Sequence, residues 1–193
     1  MPARAQAQAV ILVLGDSISA EYGLKRGTGW VRLLEDRLAK EKIPARVVNA
    51  SISGDTTAGG RSRLPALLAQ HRPTHVVIEL GGNDALRGLP LSMTEDNLTR
   101  MTQAAQAAGA RVLLVGMQLP PNYGRDYGER FARLYTQVAA AQKAQAVPFI
   151  LRGFAEGPDA ARYFQADRIH PTEEAQPLML ANVWPALRKL LPR

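Results

Sequence analysis

Five short apolar runs, rich in β-branched residues and separated by stretches of helical spacing, constrain this chain more than any other feature. The first, Val10-Ile11-Leu12-Val13-Leu14, shows no polar alternation, which suits a strand buried on both faces of a parallel sheet. Arg46 to Ala50, Thr74 to Leu80, Arg111 to Gly116 and Val147 to Leu151 follow, with Pro148 marking the last as an edge or the start of a strand. Between them, Trp30, Leu33, Leu34 and Leu38 recur at helical spacing, as do Leu64, Leu67 and Leu68 around Pro65. Ser92-Met93-Thr94-Glu95 reads as a capping box that opens a helix carrying Leu98, Met101, Ala105 and Ala108, with Gly109 as its stop. Phe131, Leu134, Tyr135, Val138 and Ala139 mark another helix. A final one holds Leu178, Leu180, Val183, Trp184, Leu187 and Leu190, with Pro177 near its start and Pro185 kinking it. Strands alternating with helices predict an α/β fold: a three-layer α/β/α sandwich on a five-stranded, mainly parallel sheet with right-handed crossovers.

A chain of 193 residues suits a single domain with its own core, expected over 10–193. Before it, Ala3 to Ala9 carries small residues in an Ala-x-Ala rhythm without a hydrophobic segment ahead of them. Residues 1–9 therefore read as a flexible leader, either a signal-peptide remnant or the start of a cytosolic chain. The exported reading, periplasmic or secreted, is preferred. Without cysteine there are no disulfides, thiol nucleophiles or thiolate metal ligands. No apolar run approaches the ~20 residues of a membrane span. The net charge of +7 comes from scattered Lys and Arg with no basic run or nucleic-acid-binding signature, which argues against nucleic acid as a partner.

Three of the runs end in small polar turns: Gly15-Asp16-Ser17, Ser53-Gly54-Asp55 and Gly81-Gly82-Asn83-Asp84. In a parallel sheet all three fall at the carboxyl edge, where ligands bind. Taken alone, the first is better explained by Asp16 or Ser17 capping a helix than by a nucleophilic serine. Gly54 can free a backbone N–H towards the same edge. Asn83 suits either a left-handed turn residue or an amide that donates to an oxyanion. Among the histidines, His71 and His75 belong at the amino edge, away from Ser17. His170 follows the fifth run, three residues after Asp167. That spacing lets the carboxylate accept from Nδ1–H and leaves Nε2 to face a hydroxyl, while Pro171 restricts the His170 backbone. Standing alone, the Asp167–His170 pair is as readily a surface turn. Neither a metal-ligand cluster nor a cofactor motif stands out, so neither group is expected.

Taken together, Gly15-Asp16-Ser17-Ile18, Gly54, Gly81-Gly82-Asn83-Asp84 and Asp167-x-x-His170-Pro171 resemble the four conserved blocks of the SGNH, or GDSL, hydrolases. Order and rough spacing match across nearly the whole chain. Val47 to Thr56, Glu79 to Asp84 and Leu119 to Gly124 are similar to the bacterial thioesterase I, arylesterase and lysophospholipase branch, typically periplasmic enzymes. The resemblance implies a flavodoxin-like sandwich with Ser17 as nucleophile, His170 as base and Asp167 as the acid that orients it. It implies an oxyanion hole from the Ser17 and Gly54 backbone N–H groups and the Asn83 side-chain amide. Substrate contacts would come from Leu86, Arg87, Gly88, Leu89 and Pro90, and from Met117, Gln118, Leu119, Pro120 and Tyr123. The implied reaction is hydrolysis of esters and thioesters through an acyl-enzyme, on aryl esters, short-to-medium acyl esters, acyl-CoA or lysophospholipids. The alternatives are a carbohydrate O-deacetylase of the same family and a non-catalytic lipid- or polyanion-binding module. Two departures stand out. Arg168 replaces a Gly usual in the branch, and Gly153 to Gln165 is slightly longer than usual.

Overall fold

Strand β1 (Ala9–Gly15) lies between β2 (Ala45–Asn49) and β3 (His75–Glu79) in a computed structural model that describes residues 8–192. With β4 (Arg111–Val115) and β5 (Gln145–Val147) they form one sheet of order β2-β1-β3-β4-β5, every pair parallel. Successive side chains on a strand point to opposite faces, so an apolar run without alternation supplies two cores at once. Ile11, Val13, Val77 and Leu113 face α1 (Trp30–Lys40) and α6 (Gln176–Leu190), where Trp30, Leu34, Val183 and Leu187 are buried. Leu12, Leu14, Val76 and Ile78 face the other layer, made by α2 (Thr57–His71), α4 (Leu91–Ala107) and α5 (Arg125–Ala141). Each such side chain contributes about 1.5–3 kcal/mol on burial.

The strand order decides where a ligand can sit. From β1 the chain turns outward to β2, then crosses back to place β3 on the other side of β1. Helices leaving β1 and β3 therefore diverge to opposite faces and open a crevice at the carboxyl ends of those strands. The turns carrying Ser17 and Asn83 both lie there, in a register that pairs Gly15 with Glu79.

Several expectations from the sequence need correction. Ala9, assigned to the leader, is the first residue of β1 and is buried; the leader residues 1–7 lie outside the described residues. The capping box does not form. Helix α4 begins at Leu91, drawn into the core, so Ser92 and Glu95 lie inside the helix and no side chain caps it. The fifth strand is Gln145–Val147, not Val147–Leu151. Pro148 has no N–H with which to continue the ladder, so Phe149, Ile150 and Leu151 leave the sheet and pack beneath α6. Leu86 belongs to a one-turn helix, α3 (Gly82–Leu86), not to a loop.

The β4–β5 edge closes through Gly116, whose N–H donates to Val147 O at 2.7 Å and whose carbonyl accepts from Ile150 N–H at 3.0 Å. A Cβ on Gly116 would lie 2.3 Å from Pro148 O, a backbone atom that cannot rotate away. Gly116→Ala is expected to destabilise the fold by roughly 1–3 kcal/mol, read as a lower urea midpoint at unchanged m; an unchanged midpoint would refute this close approach.

Candidate active site

Turns from the ends of β1, β2 and β3 are clipped together at the carboxyl edge. After β1, Asp16 is buried and its Oδ1 accepts from Ile18 N–H at 3.0 Å, which curls the chain and lifts Ser17 to a half-buried position. Gly15 is needed because a Cβ there would meet Ser19 and Ser51 Oγ at 2.8–2.9 Å. After β2, Gly54 takes φ +80°, the left-handed region that favours glycine, at an exposed position. Its turn is held by Asp55, which pairs with Arg63 at 2.8 Å, while Arg63 also donates to Ala50 O.

Gly81, at φ +119°, turns the chain from β3 into α3, and its missing Cβ leaves room for Tyr135 OH, which donates to Leu80 O. Asn83 is therefore helical. The left-handed residue of that turn is Gly81, and the αL reading of Asn83 falls. Asn83 Nδ2 donates to Asp55 O at 2.8 Å and to Asp16 Oδ2 at 3.1 Å, joining all three turns. Asp84 is buried and accepts from Thr57 N–H and Oγ1, so it anchors the first turn of α2 and not a ligand.

His170 reaches the serine from the far side. Its Nε2 lies 2.9 Å from Ser17 Oγ and its Nδ1 lies 2.6 Å from Asp167 Oδ2. Asp167 Oδ1 accepts from the Ile169 and His170 N–H groups, so the carboxylate shapes the turn that presents its own partner. Arg168 occupies that turn at φ +58°, a strained conformation that glycine would relieve. Two positioning residues had no signal in the sequence. Gln165 Nε2 donates to Tyr22 O and Pro171 O, and the Tyr22 ring packs 4.2 Å from the His170 ring. Gly23 makes room for Gln165, because a Cβ there would overlap its amide.

With Asp167 holding Nδ1–H, Nε2 is a lone-pair acceptor aimed at the Ser17 hydroxyl, the arrangement that deprotonates a serine as it attacks a carbonyl. The Ser17 and Gly54 N–H groups have no partner among the described residues. Backbone donors left open next to a nucleophile are what a developing oxyanion requires.

Beside these groups lies an apolar cavity of about 740 Å³. Of the expected substrate contacts, Leu86, Met117, Gln118, Leu119 and Pro120 line it. Arg87, Gly88, Leu89, Pro90 and Tyr123 do not. Arg87 instead donates to Gly54 O, and Leu89 O accepts from Tyr127 OH. Further wall comes from Phe164 and Arg168, in the two stretches that depart from the branch, and from Phe149, Leu151 and Ile169, which the sequence had not suggested. These are residues that left the sheet early or sit in the irregular stretch before His170.

The GDSL-like Lipase/Acylhydrolase family model matches residues 13–177. The chain is 57% identical over 181 residues to Esterase TesA of Pseudomonas aeruginosa, covering 94% of this chain and 89% of that protein. It is 44% identical to Thioesterase 1/protease 1/lysophospholipase L1 of Escherichia coli (strain K12), covering 91% of this chain and 82% of the relative. Among solved structures, psychrotrophic esterase EstA from Pseudoalteromonas sp., inhibited by monoethylphosphonate, matches with a TM-score of 0.88 at 41% identity. That match covers 94% of this chain and 98% of the other.

The Asp167 carboxyl is held down from 3.8 to about 2, first by the His170 backbone N–H, with the imidazole and the Ile169 N–H adding to it. Folding lowers this pKa, so the stabilisation is present above 3.8 and fades as pH falls through about 2. Its size is small, because the side chain is 37% exposed and screened by solvent. Carbon-detected NMR titration of Asp167 is expected to show a midpoint near 2. In His170→Ala the backbone donors persist, so the midpoint should rise yet stay below 3.8; a wild-type midpoint at 3.8 would contradict this geometry.

Proposed function

This chain belongs to the GDSL-like Lipase/Acylhydrolase family, and from that membership and the site's geometry we propose that it is a serine esterase acting through an acyl-enzyme. The observation that carries the reading is the unbroken relay from Asp167 Oδ2 to His170 at 2.6 Å and from His170 to Ser17 Oγ at 2.9 Å. Ser17 attacks the ester or thioester carbonyl as His170 takes its proton. The Ser17 and Gly54 N–H groups and the Asn83 amide receive the oxyanion, and His170 returns the proton to the leaving group. A water activated by the same imidazole then releases the acid. Asp167 keeps the imidazole in one tautomer and stabilises its protonated form.

Substrate class follows from the cavity. A volume of about 740 Å³ with apolar walls far exceeds the need of an acetyl group, which favours acyl or aryl esters, acyl-CoA and lysophospholipids over acetylated carbohydrate. An intact relay with open amide donors likewise disfavours a non-catalytic binding module. We take the chain from Ala9 onward as one catalytic domain, supported by two cores that share a single sheet. Its place of work is proposed as the periplasm or the cell exterior, on the resemblance to a typically periplasmic branch. No described helix is long and apolar enough to cross a membrane.

Ser17→Ala is expected to lower kcat on p-nitrophenyl butyrate by roughly 10⁴-fold or more and to abolish fluorophosphonate labelling, while Asn83→Ala costs about 10²–10³-fold. Undiminished turnover by purified Ser17→Ala would end the assignment. In a chain-length series, turnover confined to acetyl esters would instead favour the deacetylase.

A further inference from the structure

Beneath Ser17 the structure buries two carboxyl groups, Asp16 and Glu79, and neither forms an ion pair with Lys or Arg among the described residues. The hydrogen bonds around Glu79 locate a proton. Trp30 Nε1 can only donate, and it donates to Ser19 Oγ at 3.1 Å. The Ser19 hydroxyl hydrogen is thereby free for Glu79 Oε2, at 2.8 Å. That makes Oε2 an acceptor. The other oxygen, Oε1, is fully buried and has no hydrogen-bond partner among the described residues, while the strand register that pairs Gly15 with Glu79 brings Asp16 alongside it. An acid proton on Oε1 would give that orphaned oxygen a hydrogen to donate, with the Asp16 carboxylate as its acceptor. Asp16 suits the ionised role, since its oxygens already accept from Ile18 N–H and Asn83 Nδ2. Complete burial and the Asp16 charge both push the Glu79 carboxyl well above the ordinary carboxylate range.

Resting on the esterase reading of this site, we propose that Glu79 is a positioning residue: it keeps its proton, donates it to Asp16, and through Asp16 holds the Asn83 amide at the oxyanion hole. The proton has a second consequence. Asn83 spends its two Nδ2 hydrogens on Asp55 O and Asp16 Oδ2, so an arriving oxyanion must share one of them. A carboxylate whose charge is partly taken up by the Glu79 proton releases that hydrogen more readily than a bare one. It also keeps a second full negative charge from lying below the developing oxyanion.

The test is a double-mutant cycle between Glu79 and Asn83, on enzyme whose Ser17 reacts with a fluorophosphonate; failure of the wild type to react would sink the esterase reading itself. Glu79→Leu is expected to lower kcat about 10–100-fold with KM nearly unchanged, but to cost less than about threefold in the Asn83→Ala background. Glu79→Gln, which can donate to Asp16 and accept from Ser19, is expected to stay within about threefold of wild type. At neutral pH the wild type should show a buried carboxylic-acid C=O stretch in the infrared that Glu79→Gln lacks. Equal losses from Glu79→Leu in both backgrounds, a Glu79→Gln variant far below wild type, or an infrared band unchanged by that substitution would each overturn the proposal. Should Glu79→Leu not fold, the Glu79→Gln rates and the infrared band decide it.

Discussion

Two hydrogen bonds from one side-chain amide organise the catalytic edge of this protein. Asn83 Nδ2 reaches Asp55 O and Asp16 Oδ2, and so ties the turn after β3 to those after β2 and β1. Without them, the serine turn and the Gly54 turn would be separate loops on a sheet edge, each free to drift by more than catalytic geometry tolerates. The sheet makes the clip possible. Parallel strands end on the same side, and the order β2-β1-β3 brings exactly these three ends together where the flanking helices part. Two buried groups then back the clip from below, Asp84 by holding the start of α2 and Glu79 by supporting Asp16.

His170 is positioned under different rules. His170 belongs to no strand or α-helix, and its direction is set by a turn that Asp167 closes on its own backbone. Gln165 and Tyr22 then fasten that turn to the loop after β1. The stretch that delivers His170 also supplies Phe164, Arg168 and Ile169 to the cavity wall. The His170 turn and the cavity are therefore coupled mechanically, since any change that widens the cavity from this side also loads the His170 turn. Arg168 shows the coupling most directly, being a strained backbone position in the turn and a cation on the wall at once.

What could be read from residues alone was what depends on neighbours in the chain. An unalternating β-branched run makes a buried strand, Gly-Asp-Ser makes a tight exit, and Asp-x-x-His sets two side chains on one side of a turn. Those are local preferences, and β1 to β4 and the three turns follow from them, while the Asp167–His170 spacing permits the pair without requiring it. The misread elements were cases of local preference losing to packing. Ser92-x-x-Glu95 has the pattern of a cap, but burial of Leu91 starts the helix elsewhere. Val147 to Leu151 has the composition of a strand, but one missing N–H at Pro148 ends the ladder and the core takes the rest.

The sequence by itself determined the architecture and the order of the turns, because period and turn chemistry are properties of short stretches, while the relay was read from the resemblance of its motif blocks to a family. Only the tertiary structure decided which of the three turns touch, that Asn83 is helical with both amide hydrogens engaged, and that Glu79 is shut away beside Asp16. It also decided the cavity, whose walls come from segments more than 30 residues apart in the chain. The physical reason is the same throughout. Burial, desolvation and the meeting of distant side chains depend on how elements pack, and no window of neighbouring residues contains that information.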